Sequence, residues 1–254
     1  MRLDKYLAEN GFADSRTRAA QMIAAGLIQV NGILQKKPSY DLPDDAVVEV
    51  VGELLPYVSR GGLKLKGALD TFGISPKGMI SADIGASTGG FTDCLLQEGA
   101  IKVYAIDSGK DQLHEKLRGD SRVVSMESFN ARNLTLTHLG EAVDIAVTDV
   151  SFISQTLLHG AIASILKDGG IFLSLIKPQF EVGRENLGKG GIVKNPKARR
   201  EAARRVMTSA MTVGLAPIAI TVSPITGGDG NIEYLAYFRK QQITGILPEV
   251  DHLP

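Results

Sequence analysis

The stretch Asp-Ile-Gly-Ala-Ser-Thr-Gly-Gly at residues 83–90 has the composition of a ligand-binding turn. Its glycines, at positions 85, 89 and 90, allow a ligand to lie against bare backbone, and the N–H groups of a following helix would point at that ligand. Ser87 stands where the dinucleotide-binding fingerprint G-x-G-x-x-G requires its second glycine. An acidic residue at the start of the pattern instead favours a cationic ligand without phosphate, such as S-adenosylmethionine. A plain tight turn is the alternative interpretation.

Regular apolar runs surround this turn and predict the elements that position it. Residues 79–84 form a short buried strand, and the apolar stripe that begins at Phe91 indicates a helix. Further strands are predicted at residues 103–106, 123–125, 144–147, 171–176, 217–222 and 233–238. Because strands that alternate with helices are typical of parallel sheets with crossover helices, we expect an α/β fold with a Rossmann-like, mostly parallel sheet of seven strands.

Four polar residues lie at the carboxyl ends of predicted strands, where open α/β sheets build their sites. Asp107 follows the second strand, about twenty residues after the glycine-rich turn, which is the position of an acid that binds ribose hydroxyls. A helix N-cap is the alternative role for this residue. Asn130 lies just past the third strand, where an adenine edge would fall. Asp149 and Lys177 follow the fourth and fifth strands, and neither fits a solvent-facing periodicity.

Residues 1–51 form a separate pattern of two short helices, a hairpin at Asn31-Gly32 and a closing strand, so we expect a small N-terminal α+β domain. Up to residue 40 there are six basic residues and three acidic ones. The basic residues are Arg2, Lys5, Arg16, Arg18, Lys36 and Lys37. A basic surface on so small a module predicts contact with a phosphate backbone, although a solvated helix face would have the same composition.

A second basic region covers residues 184–205, where eight basic residues accompany two acidic ones. Gly183 just before it and the glycines at 188, 190 and 191 make its first half a loop, and Pro196 suits the first turn of a following helix. A basic loop beside a site predicts a clamp on the substrate, with Lys189 as one of its cations. A solvated helix face is the alternative for the second half.

The composition of the whole chain excludes several classes of protein. The 254 residues carry no formal net charge, with 44% hydrophobic and 22% charged residues, which suits a soluble protein able to bury a full core. The single cysteine, Cys94, excludes an intrachain disulfide and is expected in the core. The N-terminus has no apolar signal core, and no apolar run reaches the ~20 residues of a membrane span. We therefore expect a cytoplasmic protein without membrane contact.

Motifs along the chain resemble two known families. The N-terminal motifs Arg2-Leu-Asp-Lys-Tyr-Leu and Ile28-x-Val30-Asn31-Gly32 resemble the RNA-binding module of small-subunit ribosomal protein S-four. The downstream motifs resemble the TlyA group, in which this module is joined to an FtsJ/RrmJ-like ribose methyltransferase. They are Ser59-Arg-Gly-Gly-Leu-Lys64, Asp83 to Phe91, Thr148-Asp149-Val-Ser-Phe-Ile-Ser154, Lys177-Pro-Gln-Phe-Glu-Val-Gly183 and Gly230-Asn-Ile-Glu233. One departure is the linker tetrapeptide Leu55-Pro-Tyr-Val58, which is basic and aromatic in the family, so linker-based substrate control does not carry over.

The resemblance implies methyl transfer from S-adenosylmethionine to the 2′-hydroxyl of a cytidine in ribosomal RNA of the small subunit, the large subunit or both. The implied catalytic tetrad is Lys64, Asp149, Lys177 and Glu233. The implied cofactor-binding residues are Asp83, Gly85, Ala86, Ser87, Thr88, Gly89, Gly90, Phe91, Asp107, Asn130 and Asp149. The residues predicted to bind RNA are Arg2, Lys5, Arg16, Arg18, Lys36, Lys37, Arg60 and Lys189. Of these, the resemblance implies Arg16 and Arg18, which sit on the second helix where the RNA contacts of the module usually lie. The sequence does not define an oligomeric state.

The tetrad has a chemical rationale. A ribose hydroxyl is a very weak acid, so its attack on a methyl group requires removal of a proton, and Lys177 is the candidate base. Burial and the second ammonium of Lys64 favour a neutral amine, whereas Asp149 opposes it. Glu233 could hold Lys64 or the ribose. No metal is required, and the histidines, which are His114, His138, His159 and His252, show no ligand spacing.

Three other functions compete with methyl transfer. A membrane-lysing haemolysin, the label that members of this family often carry, is disfavoured by the missing signal and apolar span. An RNA-binding protein with an inactive methyltransferase domain is disfavoured by the intact turn and tetrad. An NAD-type oxidoreductase is disfavoured by Ser87.

The predicted domain boundaries are an RNA-binding module at 1–51, a linker at 52–58, a methyltransferase domain at 59–240 and a tail at 241–254.

Overall fold

The computed structural model describes residues 1–52, 55–243 and 247–254. The chain divides into two compact units, Met1–Pro56 and Tyr57–Pro254. Residues 53 and 54 of the predicted linker and residues 244–246 of the predicted tail lie outside the described residues. No helix in the described ranges is long and apolar enough to cross a membrane.

The N-terminal unit packs two helices on a three-stranded antiparallel sheet. The helices are α1 (Leu3–Glu9) and α2 (Arg16–Ala24), and the strands are β1 (Ile28–Val30), β2 (Ile33–Gln35) and β3 (Val48–Val50), in the order β2-β1-β3. Ser15 caps α2 by accepting a hydrogen bond from the Arg18 N–H at 3.1 Å. Asn31 and Gly32 both have positive φ, as a two-residue hairpin turn requires. The expected α+β fold of this part of the chain is confirmed.

The larger unit contains a seven-stranded sheet among the described residues. Its strands are β4 (Ile80–Ile84), β5 (Lys102–Ile106), β6 (Val123–Met126), β7 (Val143–Thr148), β8 (Leu166–Ile176), β9 (Leu215–Val222) and β10 (Tyr234–Lys240). The order is β6-β5-β4-β7-β8-β10-β9, in which β10 runs antiparallel to both neighbours and the other pairs are parallel. This confirms the predicted Rossmann-like, mostly parallel sheet.

Helices cover both faces of this sheet. They are α3 (Gly61–Phe72), α4 (Gly90–Gln97), α5 (Glu115–Arg118), α6 (Leu136–Leu139), α7 (His159–Ile165), α8 (Pro178–Glu181) and α9 (Pro196–Met211). One core contains the apolar residues of α3, α4 and α5, including Cys94 as expected, and the other contains those of α6, α7 and α9. Alternate residues of each parallel strand, such as Ala146 and Val147 of β7, enter opposite cores. The strands are therefore buried on both faces, which explains their continuous apolar runs.

The C-terminal residues differ from the expected tail. Val250 and Leu253 are buried in the core on the α9 side of the sheet, and the Pro254 carbonyl accepts hydrogen bonds from Tyr234 Oη at 2.6 Å and Arg199 Nε at 3.1 Å. The prediction of a separate tail at 241–254 was wrong for residues 247–254, because Val250 and Leu253 bury apolar surface that only the folded sheet provides.

Candidate active site

The glycine-rich turn lies at the point where the strand order reverses, between β4 and its neighbours β5 and β7. The N–H groups of Gly85 and Ala86 donate to the Ile106 carbonyl at 2.8 and 3.1 Å. Gly85 has φ +87°, and a Cβ there would lie 2.9 Å from the Asp149 carbonyl oxygen. A side chain at position 85 would therefore both strain the backbone and push β4 away from the segment that carries Asp149.

The other glycines of the turn have different roles. A Cβ on Gly89 (φ +96°) would collide with Leu117 and Leu113 side chains, so this glycine is required by packing. A Cβ on Gly90 would overlap Ser59 and lie 3.0 Å from the Gly62 backbone nitrogen. The turn is thus held by close contacts on both sides.

Two adjoining cavities open beside the turn. The first, about 330 Å³, is lined by Arg60, Lys64, Asp149, Ser151 and Lys177 together with residues of the turn, which are Gly85, Ala86, Ser87, Thr88, Gly90 and Phe91. The second, about 520 Å³, is lined by Asp107 and Asn130 among apolar side chains, which include Ile106, Phe129 and Ile153. Gly85, Ser87, Asp149 and Ser151 line both cavities, so a ligand could extend from one into the other.

The side chains of Asp107 and Asn130 are oriented by hydrogen bonds from nearby backbone N–H groups. Asp107 accepts hydrogen bonds from the N–H groups of Ser87 at 2.8 Å and Gly109 at 2.6 Å, which links the carboxyl end of β5 to the turn. Asn130 Oδ1 accepts from the Arg132 N–H at 3.1 Å. Both side chains are therefore oriented before any ligand binds.

Two lysine–carboxylate pairs meet at the carboxyl edge of the sheet. Lys64 Nζ, on α3, donates to Glu233 Oε2 at 2.5 Å, and both side chains are buried. Lys177 Nζ lies 2.5 Å from Asp149 Oδ1 as an ion pair and donates a directed hydrogen bond to Ser151 Oγ at 2.9 Å. The structure brings the four predicted tetrad residues together, although Glu233 contacts Lys64 behind the cavity wall.

The antiparallel strand β10 explains how Glu233 reaches this edge. Tyr234 pairs with Ile176, the last residue of β8, so the residue before β10 and the residue after β8 lie side by side. Glu233 and Lys177 are these two residues. A parallel strand would have delivered its first residue to the opposite edge of the sheet.

Asp83 occupies a different place from the one expected. It is fully buried, lines neither cavity, and accepts a hydrogen bond from Thr92 Oγ1 at 2.7 Å, while its Oδ1 atom has no hydrogen-bond partner among the described residues. The expectation of direct ligand contact is corrected, because this side chain supports the first turn of α4 from below. Burial raises the pKa of Asp83 to about 7, opposed by the Thr92 hydrogen bond and assisted by the charges of Asp149 and Asp107.

Replacement of Asp83 by asparagine should change how stability depends on pH. Because the folded pKa of about 7 exceeds the ordinary 3.8, this group stabilises the protein fully below pH 3.8, and that contribution is lost as pH rises through 7. The free energy of unfolding of Asp83→Asn minus that of the unmodified protein should therefore rise between pH 5 and 8, by a few kcal/mol at most. Urea unfolding across this range measures the difference. If the free energies of the variant and of the unmodified protein changed with pH in parallel, the raised pKa of Asp83 would be contradicted.

The predicted RNA-binding residues are all exposed. They are Arg2, Lys5, Arg16, Arg18, Lys36, Lys37, Arg60 and Lys189. Arg2 and Arg16 also bind the buried Asp4, at 2.8 and 3.1 Å, and the hydrogen bond from Arg2 holds the pKa of Asp4 down at about 2. Arg60 lines the first cavity, whereas Lys189 lines neither cavity.

Two residues near the lysine–carboxylate pairs were not predicted from the sequence. Ser151 lines both cavities and contacts Lys177, and Glu181 is buried behind it, accepting a hydrogen bond from Ser154 Oγ at 2.6 Å. The only signal was their position in the motifs that carry Asp149 and Lys177. Within the described ranges, no group of three or more His, Cys, Asp and Glu side chains could hold a metal ion.

Comparison with known proteins agrees with the fold. The FtsJ-like methyltransferase family matches residues 57–240, and the S4 domain matches residues 1–48. The chain is 44% identical to Hemolysin A of Brachyspira hyodysenteriae over 94% of this chain and 99% of that protein. It is 41% identical to the 16S/23S rRNA (cytidine-2′-O)-methyltransferase TlyA of Mycobacterium tuberculosis over 94% of this chain and 90% of that protein.

A solved Streptococcus thermophilus structure, described as a hemolysin, matches with a TM-score of 0.75 and 42% identity over 100% of this chain and 92% of that chain. The Methanococcus jannaschii fibrillarin pre-rRNA processing protein, with a TM-score of 0.56 and 17% identity over 72% of this chain and 77% of that chain, shares the fold. The family suggested by the motifs is thus confirmed. The chain belongs to the FtsJ-like methyltransferase family, in the TlyA group of proteins that carry an S4 domain.

Proposed function

We propose that this protein transfers a methyl group from S-adenosylmethionine to the 2′-hydroxyl of a cytidine in ribosomal RNA. The observation that carries the proposal is the convergence of Lys64, Asp149 and Lys177 on one cavity beside the glycine-rich turn. The names of the relatives supply the substrate class. We further propose that it acts in the cytoplasm.

The residues of the two cavities fit S-adenosylmethionine. Gly85 leaves bare backbone at their junction, and the oriented Asp107 carboxylate can accept hydrogen bonds from ribose hydroxyls. The apolar side chains of Ile106, Phe129 and Ile153 suit a purine ring, with Asn130 at its polar edge. When bound, the cofactor supplies an electrophilic methyl group on a positively charged sulfur. The carboxylate of Asp149 lines both cavities, a favourable environment for that charge.

Side chains of the protein can accept the proton that the ribose hydroxyl loses and stabilise the charge that results. Lys177 Nζ, in its neutral form, would accept the proton of the ribose hydroxyl as that oxygen attacks. Asp149 stabilises the ammonium that results, because its carboxylate already lies in contact. Lys64 faces the same cavity as a cation held by Glu233, and it would attract the developing negative charge of the ribose oxygen.

The exposed basic residues of the N-terminal unit are proposed to hold the RNA backbone. The double variant Lys36→Ala/Lys37→Ala should weaken RNA binding and reduce the slope of log Kd against log salt by about 1–2, since each lost phosphate contact removes about one unit. Filter binding between 50 and 300 mM salt measures this slope. Affinity for the cofactor should not change.

Lys167→Ala is a matched control for that experiment, because Lys167 is an exposed lysine in the larger unit, paired with Asp144 at 2.7 Å. Its salt slope should equal that of the unmodified protein. Equal slopes for the double variant and the control would contradict the assignment of Lys36 and Lys37.

The deciding test is transfer of tritium from labelled S-adenosylmethionine to isolated small subunits, large subunits and total RNA, with Lys177→Ala as the inactive control. Label in an alkali-resistant dinucleotide from one subunit, or from both, would establish 2′-O-methylation and identify the substrate. Label in a base, or in no RNA although the cofactor binds, would reject the proposed reaction on these substrates.

A further inference from the structure

Ser151 lies where it can control the direction of the Lys177 amine. It follows Asp149 by two residues in the loop after β7, and its hydroxyl oxygen accepts a hydrogen bond from Lys177 Nζ at 2.9 Å. Asp149 Oδ1 lies 2.5 Å from the same nitrogen. The Lys177 nitrogen is therefore held by two oxygen atoms from one loop.

A neutral amine has two N–H bonds and one lone pair. Ser151 takes up one N–H bond, and the negative charge of Asp149, 2.5 Å from the nitrogen, repels the lone pair. The lone pair is therefore directed away from Asp149, and Lys177 lines the open first cavity. We propose that Ser151 is a positioning residue that aims the lone pair of Lys177 at the ribose hydroxyl. This inference rests on the methyl transfer proposed above, and it adds a residue that the tetrad does not include.

The loop that carries Ser151 is itself fixed from behind. The buried carboxylate of Glu181, on α8, accepts hydrogen bonds from Ser154 Oγ at 2.6 Å and from the Gln155 N–H at 2.9 Å. Gln155 Oε1 in turn accepts a hydrogen bond from Ser174 Oγ on β8. The Ser154–Gln155 end of the loop after β7 is thus tied to Ser174 and Glu181, which lie on either side of Lys177 in the sequence.

Several charged groups lie around Lys177. Asp149 is in direct contact, and Arg60 and Lys64 line the same cavity, with Lys64 neutralised by Glu233. Ser151 is uncharged, so its replacement by alanine leaves these charges in place and removes only the hydrogen bond that directs the amine.

Single-turnover methylation with excess enzyme tests this inference in Ser151→Ala. The rate on its high-pH plateau should fall about 10-fold, because the base is misaligned. Kd values for S-adenosylhomocysteine and for RNA, and the urea midpoint, should stay within about twofold of the unmodified protein. Ser151→Thr, which restores the hydroxyl, should recover most of the rate.

Ser164→Ala is the matched control, because Ser164 is an exposed serine of α7 whose hydroxyl bonds only the local Ala161 carbonyl. An unchanged rate in Ser151→Ala, with the unmodified protein active, would overturn the inference. A lower rate that Ser151→Thr does not recover, or one accompanied by a lower urea midpoint, would also overturn it, since a loosened site gives that result. If the unmodified protein methylates no RNA, the proposed function fails instead, and this outcome is distinguishable because it appears before any variant is compared.

Discussion

Lys177→Ala should abolish methyl transfer while the protein still binds its cofactor. A general base contributes about 10²–10⁴-fold, and loss of the aligned partner for the ribose hydroxyl adds to that, so we expect a decrease of at least about 10³-fold in kcat. Lys177 contacts Asp149 and Ser151 at the wall of the first cavity, whereas the turn and Asp107 are bound together independently of it. Tritium transfer measures the rate, and titration calorimetry with S-adenosylhomocysteine measures the binding.

The control variant makes the same lysine-to-alanine substitution at a different ion pair. Lys167→Ala also removes a lysine from an ion pair with an aspartate, in this case Asp144 at 2.7 Å on the opposite edge of the sheet. Its activity should equal that of the unmodified protein. Turnover within 10-fold of normal in Lys177→Ala would remove Lys177 from the role of base.

Glu233→Ala should destabilise the methyltransferase unit and inactivate it at the same time. The change leaves the Lys64 ammonium buried without its carboxylate, and breaking a buried ion pair from one side costs about 3–5 kcal/mol. The exposed fractions of the two side chains, 10% for Lys64 and 2% for Glu233, leave water little access to replace the lost partner. Urea unfolding followed by circular dichroism measures the loss of free energy.

A double variant separates stability from catalysis at this pair. Lys64→Met/Glu233→Leu replaces both charges with apolar side chains of similar size, which should restore most of the stability that Glu233→Ala loses. Methyl transfer should stay absent, because the cation facing the first cavity is gone. If the double variant regained activity, Lys64 and Glu233 would be structural only. A loss below about 1 kcal/mol in Glu233→Ala would show that Lys64 reaches water or another acceptor.

The sequence predicted the sheet and most of the site because both depend on local patterns. Apolar runs marked the strands, and Asp107, Asp149 and Lys177 could be placed because they follow those runs directly. In a parallel sheet such positions share one edge, so closeness in space follows from topology alone. The glycine-rich turn was predictable for the same reason, since a positive φ at Gly85 is a local requirement.

What the sequence could not predict depends on partners distant along the chain. Asp83 was expected to face a ligand, but a buried carboxylate at this strand position could equally point to Thr92 on the next helix. Gly89 is needed because of Leu117, and Val250 packs only because the sheet exists. Ser151 gave no signal of its own, because a serine in a loop is common and only the contact with Lys177 distinguishes it.

The pair of Lys64 and Glu233 joins residues 169 positions apart, and this separation matters while the chain is being synthesised. At about 5–20 residues per second, Lys64 remains without its partner for on the order of 10–30 s, until Glu233 is synthesised. During that interval a nascent chain can form the β4 strand and the following turn but cannot complete the catalytic edge. A product that stops before residue 233 would retain a lysine that has no partner to bury it. Translation thus makes the paired Lys64 and Glu233 one of the last features of the site that the chain acquires.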